Sequence, residues 1–239
     1  MQMSQMHYLP IAPAFFAILV GIFFIVLILR SVRYAYESLG VSHSAAMWLL
    51  FASLLGSLFN IPIVELPPEQ VMSNQVVDFF GMRYEVPVVS HWQGTIIAAN
   101  VGGAMIPTLV SIYLLTKNQL WVKGLVATTI VAVIMHWLAT PVPGIGIAVP
   151  VFMPAVITAL VAVVLSRQER QEAPPLAYIA GGLGTLIGAD ITNLDKVRGL
   201  GAPVASIGGA GTFDGIFLTG ILAVLLASFY ARPRAIQMG

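Results

Sequence analysis

The sequence predicts an all-α polytopic membrane protein of about seven transmembrane helices, with one broken or re-entrant Pro/Gly element and a small external hairpin. Three observations carry this reading. The chain is 58% hydrophobic and only 9% charged, against roughly 25% charged residues in a soluble domain. Its apolar stretches repeatedly approach the roughly 17 to 25 residues that cross a bilayer core. Its basic residues fall in short connections between those stretches, with the one-sided bias of membrane proteins.

Seven such stretches leave no room for a separate soluble unit, so residues 1–239 are read as a single transmembrane bundle. The net charge of +1 comes without a basic patch, which argues against nucleic acid. With no cysteine, disulfides and thiolate metal sites are excluded. No HExxH or comparable ligand spacing points to a metal, no cofactor is expected, and the expected partner is the lipid bilayer.

The first helix runs from about Pro13 to Leu29. Its leader carries no Lys or Arg and no small-residue cleavage site comes after it, so it is read as a retained helix rather than a signal peptide. Arg30 and Arg33 then lie inside and the N-terminus outside. The second helix, about Ala45 to Val64, carries Asn60 just before Pro62. In the polar stretch from Glu65 to Gln93, VVDFFGMRYEVPVV shows two β-favouring runs around a Phe-Gly-Met turn, the pattern of an external hairpin.

The third helix, about Thr95 to Thr116, contains NVGGAMIP, whose glycines and proline predict a kink. The fourth, about Trp121 to Ala139, carries His136. It is followed at once by TPVPGIGIAVP, which Pro141 and Pro143 prevent from continuing the helix. The fifth ends near Leu165, the sixth spans about Leu176 to Leu194, and the seventh about Phe213 to Ala231. This topology puts Arg30, Arg33, Lys117, Lys123, Arg167, Arg170, Arg232 and Arg234 inside, and Arg83, Lys196 and Arg198 outside. The C-terminus is then inside.

Two acids stand within the last apolar third, Asp190 and Asp214. A carboxylate at the bilayer centre costs about 2.5 to 3.5 kcal/mol, so an acid retained there is a candidate functional group. Short connections make the sixth and seventh helices antiparallel neighbours, which sets both acids within roughly 6 Å of the same depth. Two close carboxylates in a low dielectric do not both ionise easily, and one base and one acid result from identical side chains. Taken singly, Asp214 also reads as a helix N-cap, and Asp190 as a boundary residue near Asn193 and Asp195.

Of the fourteen residues from Gly199 to Thr212, eleven are Gly, Ala, Pro, Ser or Thr. Such a backbone admits close approach and irregular conformations, and its edge is suited to receive an extended peptide by strand addition. Gly208, Gly209, Gly211 and Thr212 are therefore candidate substrate-holding residues, with Asn193, His136 and Asn100 as candidate supporting polar groups. On the sixth helix, Ala177, Gly181, Gly184 and Gly188 form a small-residue seam for close helix packing, on the far side from Asp190.

GTLIGAD at 184–190, SIGGAGTFDGIFLTG at 206–220 and PGIGIAVP at 143–150 resemble a family of bacterial and archaeal multi-pass membrane proteins classed as a domain of unknown function. The resemblance covers most of the chain and implies the cytoplasmic (inner) membrane of a prokaryote. A weaker similarity is to intramembrane aspartyl proteases of the presenilin and signal-peptide-peptidase type, in which one aspartate lies in a helix and the next helix opens with Gly-x-Gly-Asp. Asp190 matches the first acid and Asp214 the second. The chain departs from that pattern: Thr212 and Phe213 separate Gly211 from Asp214, and there is no Tyr-Asp pair.

Two functions are expected from these residues. One is intramembrane hydrolysis of a transmembrane peptide by an aspartyl dyad. The other is proton- or cation-coupled transport through the same two acids, with the Pro/Gly breaks supplying backbone ligands.

Overall fold

The computed structural model describes residues 11–67, 76–79, 82–85, 94–142, 146–150, 152–198, 200, 202–209 and 215–231. Among them are seven α-helices: α1 Ile11–Ser38, α2 His43–Gly56, α3 Ile106–Lys117, α4 Trp121–Leu138, α5 Met153–Leu165, α6 Ala173–Thr185 and α7 Gly215–Tyr230. Two segments, Ile18–Ser38 and Trp121–Leu138, are helices long and apolar enough to cross a membrane.

The bundle is built around α6. Pro174 and Pro175 occupy its first turn, where a missing N–H costs nothing, and every residue from Ala173 to Gly182 is buried. It packs against α7, α4, α5 and α3, with Leu114, Val131, Met135, Leu176, Ile179 and Val224 filling the core. The seam of small residues does what its spacing predicts. A Cβ at Gly181 would stand 3.1 Å from the Gly220 backbone of α7, one at Gly184 2.7 Å from Val131 of α4, and one at Gly188 would collide with the Ala132 backbone. Only glycine lets these helices approach so closely.

Among the described side chains of α1, those near its C-terminal end, Val32, Ala35 and Tyr36, join this core. Ile18, Leu19 and the apolar side chains from Ile22 to Ile28 are exposed, as are Trp137 and Phe229 at 84% and 88%. Apolar surface of this extent marks an interaction face.

The structure corrects the sequence reading of three helices. The second helix was expected to reach Val64, but α2 ends at Gly56 and Asn60–Glu65 is a strand, β1. Ile61, Ile63 and Val64 are β-branched, and Pro62 costs no ladder bond on an edge strand, where the register shifts between Pro62 and Val64. The third helix was expected from Thr95. Instead Ile96–Asn100 forms a strand, followed by a π-helical turn, Val101–Met105, that leads into α3. Gly102, Gly103 and Pro107 weaken the ordinary ladder here, so the expected kink takes the form of a change of helix type. The sixth helix changes type as well, into a π turn Leu186–Asp190 and a 3₁₀ segment Ile191–Val197.

The hairpin in VVDFFGMRYEVPVV is present, β2 Val76–Phe79 pairing antiparallel with β3 Met82–Glu85. The strand Ile96–Asn100 is then β4. TPVPGIGIAVP leaves the helix as expected: α4 stops at Leu138, and β5 Thr140–Val142 pairs antiparallel with β6 Gly146–Ala148. Val204–Ile207 forms β7, which lies parallel to β4 and completes a sheet of order β1-β4-β7. The seventh helix was expected from Phe213, which lies outside the described residues; α7 is described from Gly215.

Candidate functional site

Asp190 closes the π turn at the end of α6. A π turn takes up one residue more than an α turn and rotates the residues beyond it by roughly 100°. In an uninterrupted helix Asp190 would lie about 180° from Gly181. The π turn shifts it from that position by about 100°.

There its Oδ2 accepts a hydrogen bond from the Gly208 N–H at 2.7 Å. Its Oδ1 has no partner among the described residues, and no cation pairs with the carboxylate there. Gly208 comes directly after β7 with φ +92°, a conformation that side chains disfavour. A Cβ on it would lie 2.5 Å from the Ala104 nitrogen and 2.7 Å from the Gly103 carbonyl carbon. The strand end is thus pressed between the two π turns and bonded to the acid of one of them.

Asn100 sets the position of the other. It is fully buried, and its Oδ1 accepts from the Gly103 N–H at 2.8 Å, capping the turn. Its amide donates to the Ser57 carbonyl at 2.8 Å and to Asn60 Oδ1 at 3.0 Å. The Ser206 hydroxyl donates to the same Asn60 oxygen at 2.5 Å. One side chain from each of β1, β4 and β7 therefore meets in a single network, and all of Asn100's donors are used.

Asn193 and His136 lie on the opposite side of the Leu186–Asp190 turn. Asn193 is buried and donates to the Gly188 and Ala189 carbonyls at 3.0 and 2.9 Å, while its Oδ1 accepts from Lys196 Nζ at 2.6 Å. Thr192 donates to the Gly188 carbonyl at 2.7 Å and lies 2.8 Å from His136 Nδ1. A hydroxyl has one proton to give, so this arrangement assigns the histidine proton to Nδ1. Both residues satisfy or anchor carbonyls of the irregular turn; neither bonds to Asp190.

The structure thus brings Asp190, Gly208 and, through Gly103, Asn100 together, with Gly209 next in line and bonded to the Ser206 carbonyl at 3.1 Å. Asp214, Gly211 and Thr212 lie outside the described residues. Ser206 and Thr192 were missed by sequence reasoning, since an isolated hydroxyl carries no pattern. The product, among the described residues, is an acid with no paired cation, one oxygen held by the Gly208 N–H and the other open to a proton, a water or a second carboxyl.

No curated protein and no solved structure matches the chain. A family model described as a protein of unknown function (DUF1614) matches residues 54–226, a span that contains Asn60, Asn100, Asp190, Ser206 and Gly208. The chain belongs to that family.

Proposed function

We propose that the chain is a membrane-embedded hydrolase that cuts an extended peptide with Asp190 and Asp214 as acid and base. The observation that carries this reading is the Asp190 carboxylate, which no described cation pairs and which the Gly208 N–H holds where β7 ends. β4 pairs with one side of β7, and no described strand pairs with the other. An extended segment added to that free side would lie beside the acid. Asp214 immediately precedes Gly215, the first residue of α7, and α7 packs along α6. One carboxylate takes a proton from water as its oxygen attacks the peptide carbonyl carbon. The protonated partner gives its proton to the departing nitrogen as the C–N bond breaks.

The setting in this reading is a prokaryotic cytoplasmic membrane crossed by seven helices, with the N-terminus outside. The exposed apolar side chains of α1, α4 and α7 support it, since lipid is the solvent such a surface fits. Of the intramembrane aspartyl proteases the chain resembles, this orientation matches the signal-peptide-peptidase arrangement better than the presenilin one. The test is cleavage of an internally quenched hydrophobic peptide by the purified chain in proteoliposomes, lost in Asp190→Asn.

A second reading has its own support. The two π turns meet across Gly208, and discontinuous helices beside an acid are the usual architecture of ion-coupled transport. A pH-sensitive dye inside the same vesicles separates the two. Asp190-dependent proton flux without cleavage replaces the hydrolase.

A further inference from the structure

The ladder between β4 and β7 settles which backbone groups β7 shows on its other side. The Pro203 carbonyl accepts from the Ile96 N–H at 3.1 Å, and Ile96 stands level with Val204 in the parallel register. Along a strand the N–H and C=O of one residue point to one side and those of the next residue to the other. Pro203, Ala205 and Ile207 therefore face β4, and Val204, Ser206 and Gly208 face away from it.

Two of the outward groups are already used. The Ser206 carbonyl accepts from the Gly209 N–H at 3.1 Å as the chain turns, and the Gly208 N–H donates to Asp190 Oδ2 at 2.7 Å. Among the described residues, the Val204 N–H, the Val204 carbonyl and the Ser206 N–H stay open. The strand is half-buried, so these three groups call for partners. Asp190 stands at the end of the row, where its carboxylate takes the place that a carbonyl of a neighbouring strand would have.

A segment laid along this edge fits it in one way for each direction. Antiparallel, one residue exchanges both bonds with Val204, and the carbonyl two residues before it accepts from the Ser206 N–H. Parallel, one carbonyl accepts from the Val204 N–H, and the residue two places on gives its N–H to the Val204 carbonyl and its own carbonyl to the Ser206 N–H. Either way the segment supplies two carbonyls and one N–H. Its continuation then passes Gly208 and the carboxylate.

We infer that the outer edge of β7 reads a peptide by its backbone, through the Val204 N–H, the Val204 carbonyl and the Ser206 N–H, and that this three-point ladder sets which bond reaches Asp190. The substrate class is an unwound, extended stretch of chain with one N–H and two carbonyls to give. The inference deepens the hydrolase reading and rests on it for the occupant of the edge. It is tested by binding rather than turnover, so the two fail separately: binding in this pattern without cleavage by the unaltered chain removes the hydrolase, and cleavage without the pattern removes the ladder.

The probe is the same hydrophobic peptide, added to the Asp214→Asn chain in detergent so that it stays whole, with residue-resolved hydrogen exchange as the readout. The peptide is expected to slow exchange at Val204 and Ser206, while Ala205 and Ile207, already bonded to β4, are slow before it is added. Val204→Pro deletes an N–H that β4 does not use, and Ala205→Pro deletes one that it does. Val204→Pro is therefore expected to unfold close to the parent temperature and Ala205→Pro well below it. In Val204→Pro the peptide concentration that gives half of the effect at Ser206 is expected to rise at least about tenfold, since one carbonyl of the bound peptide is left unpaired. Unchanged exchange at Val204 and Ser206, unchanged affinity in Val204→Pro, or a Val204→Pro chain as unstable as Ala205→Pro would each overturn the inference.

Discussion

The Gly208 N–H donates to Asp190 Oδ2 at 2.7 Å, and this bond ties the end of an edge strand to the break in the central helix. Gly208 is also the residue against which the Val101–Met105 turn packs. Replacing it therefore disturbs three elements together. Gly208→Ala forces a side chain into a left-handed conformation, at about 1–2 kcal/mol, and into the backbone of Gly103 and Ala104. The expected result is a clear fall in thermal unfolding temperature in detergent, together with loss of any activity that depends on Asp190.

Two glycines of the central helix region are predicted to respond oppositely to the same substitution. Gly188→Ala drives a methyl into the Ala132 backbone and is expected to destabilise by about 1–3 kcal/mol, the usual range for overpacking. At Gly182 the methyl fits, and alanine is the better helix former by roughly 0.5–1 kcal/mol. Gly182→Ala is therefore expected to leave the unfolding temperature unchanged or raise it.

Asn100→Ala leaves the Gly103 N–H and the Ser57 carbonyl without their side-chain partner. Each buried group left unpaired costs about 1–3 kcal/mol. Hydrogen exchange should then rise at Gly103 and Gly208, while α4 and α5, which the network does not touch, keep their protection. Uniform loss of protection would mean that Asn100 serves the whole bundle rather than the site.

The proposed orientation predicts that a tag at the N-terminus is reached by reagents from outside intact cells and a tag at the C-terminus is not. Both ends on the same side would mean that the number of crossings is even.

Much of the helical bundle was legible because long apolar runs have few other solutions; the external hairpin was signalled by two β-favouring runs around a turn, and Pro141 and Pro143 signalled the end of α4 though not the pairing of β5 with β6. The sheet was not. Ile61–Val64 and Ile96–Ala99 are short apolar runs, which periodicity cannot assign between buried helix and strand, and β4 pairs with β7 more than a hundred residues later in the chain. GTLIGAD likewise reads as uninterrupted helix, since a π turn leaves no hydrophobic period of its own. That hidden turn left no signal in the sequence, although Asp190 itself stood out as an acid in apolar sequence. Asn60 and Asn100 stood out for the same reason, but their joint bond to Ser206 depends on strand register and not on spacing.

The central claim is that Asp190 and Asp214 work as one site. Its most direct test is the cleavage rate in proteoliposomes of Asp190→Asn, Asp214→Asn and the double variant, each first shown to unfold at the wild-type temperature. Residues that act as a unit are strongly non-additive, so each single variant is predicted to abolish cleavage and the double variant to be no worse. Substantial cleavage remaining in either single variant, or losses that multiply in the double, would contradict the account.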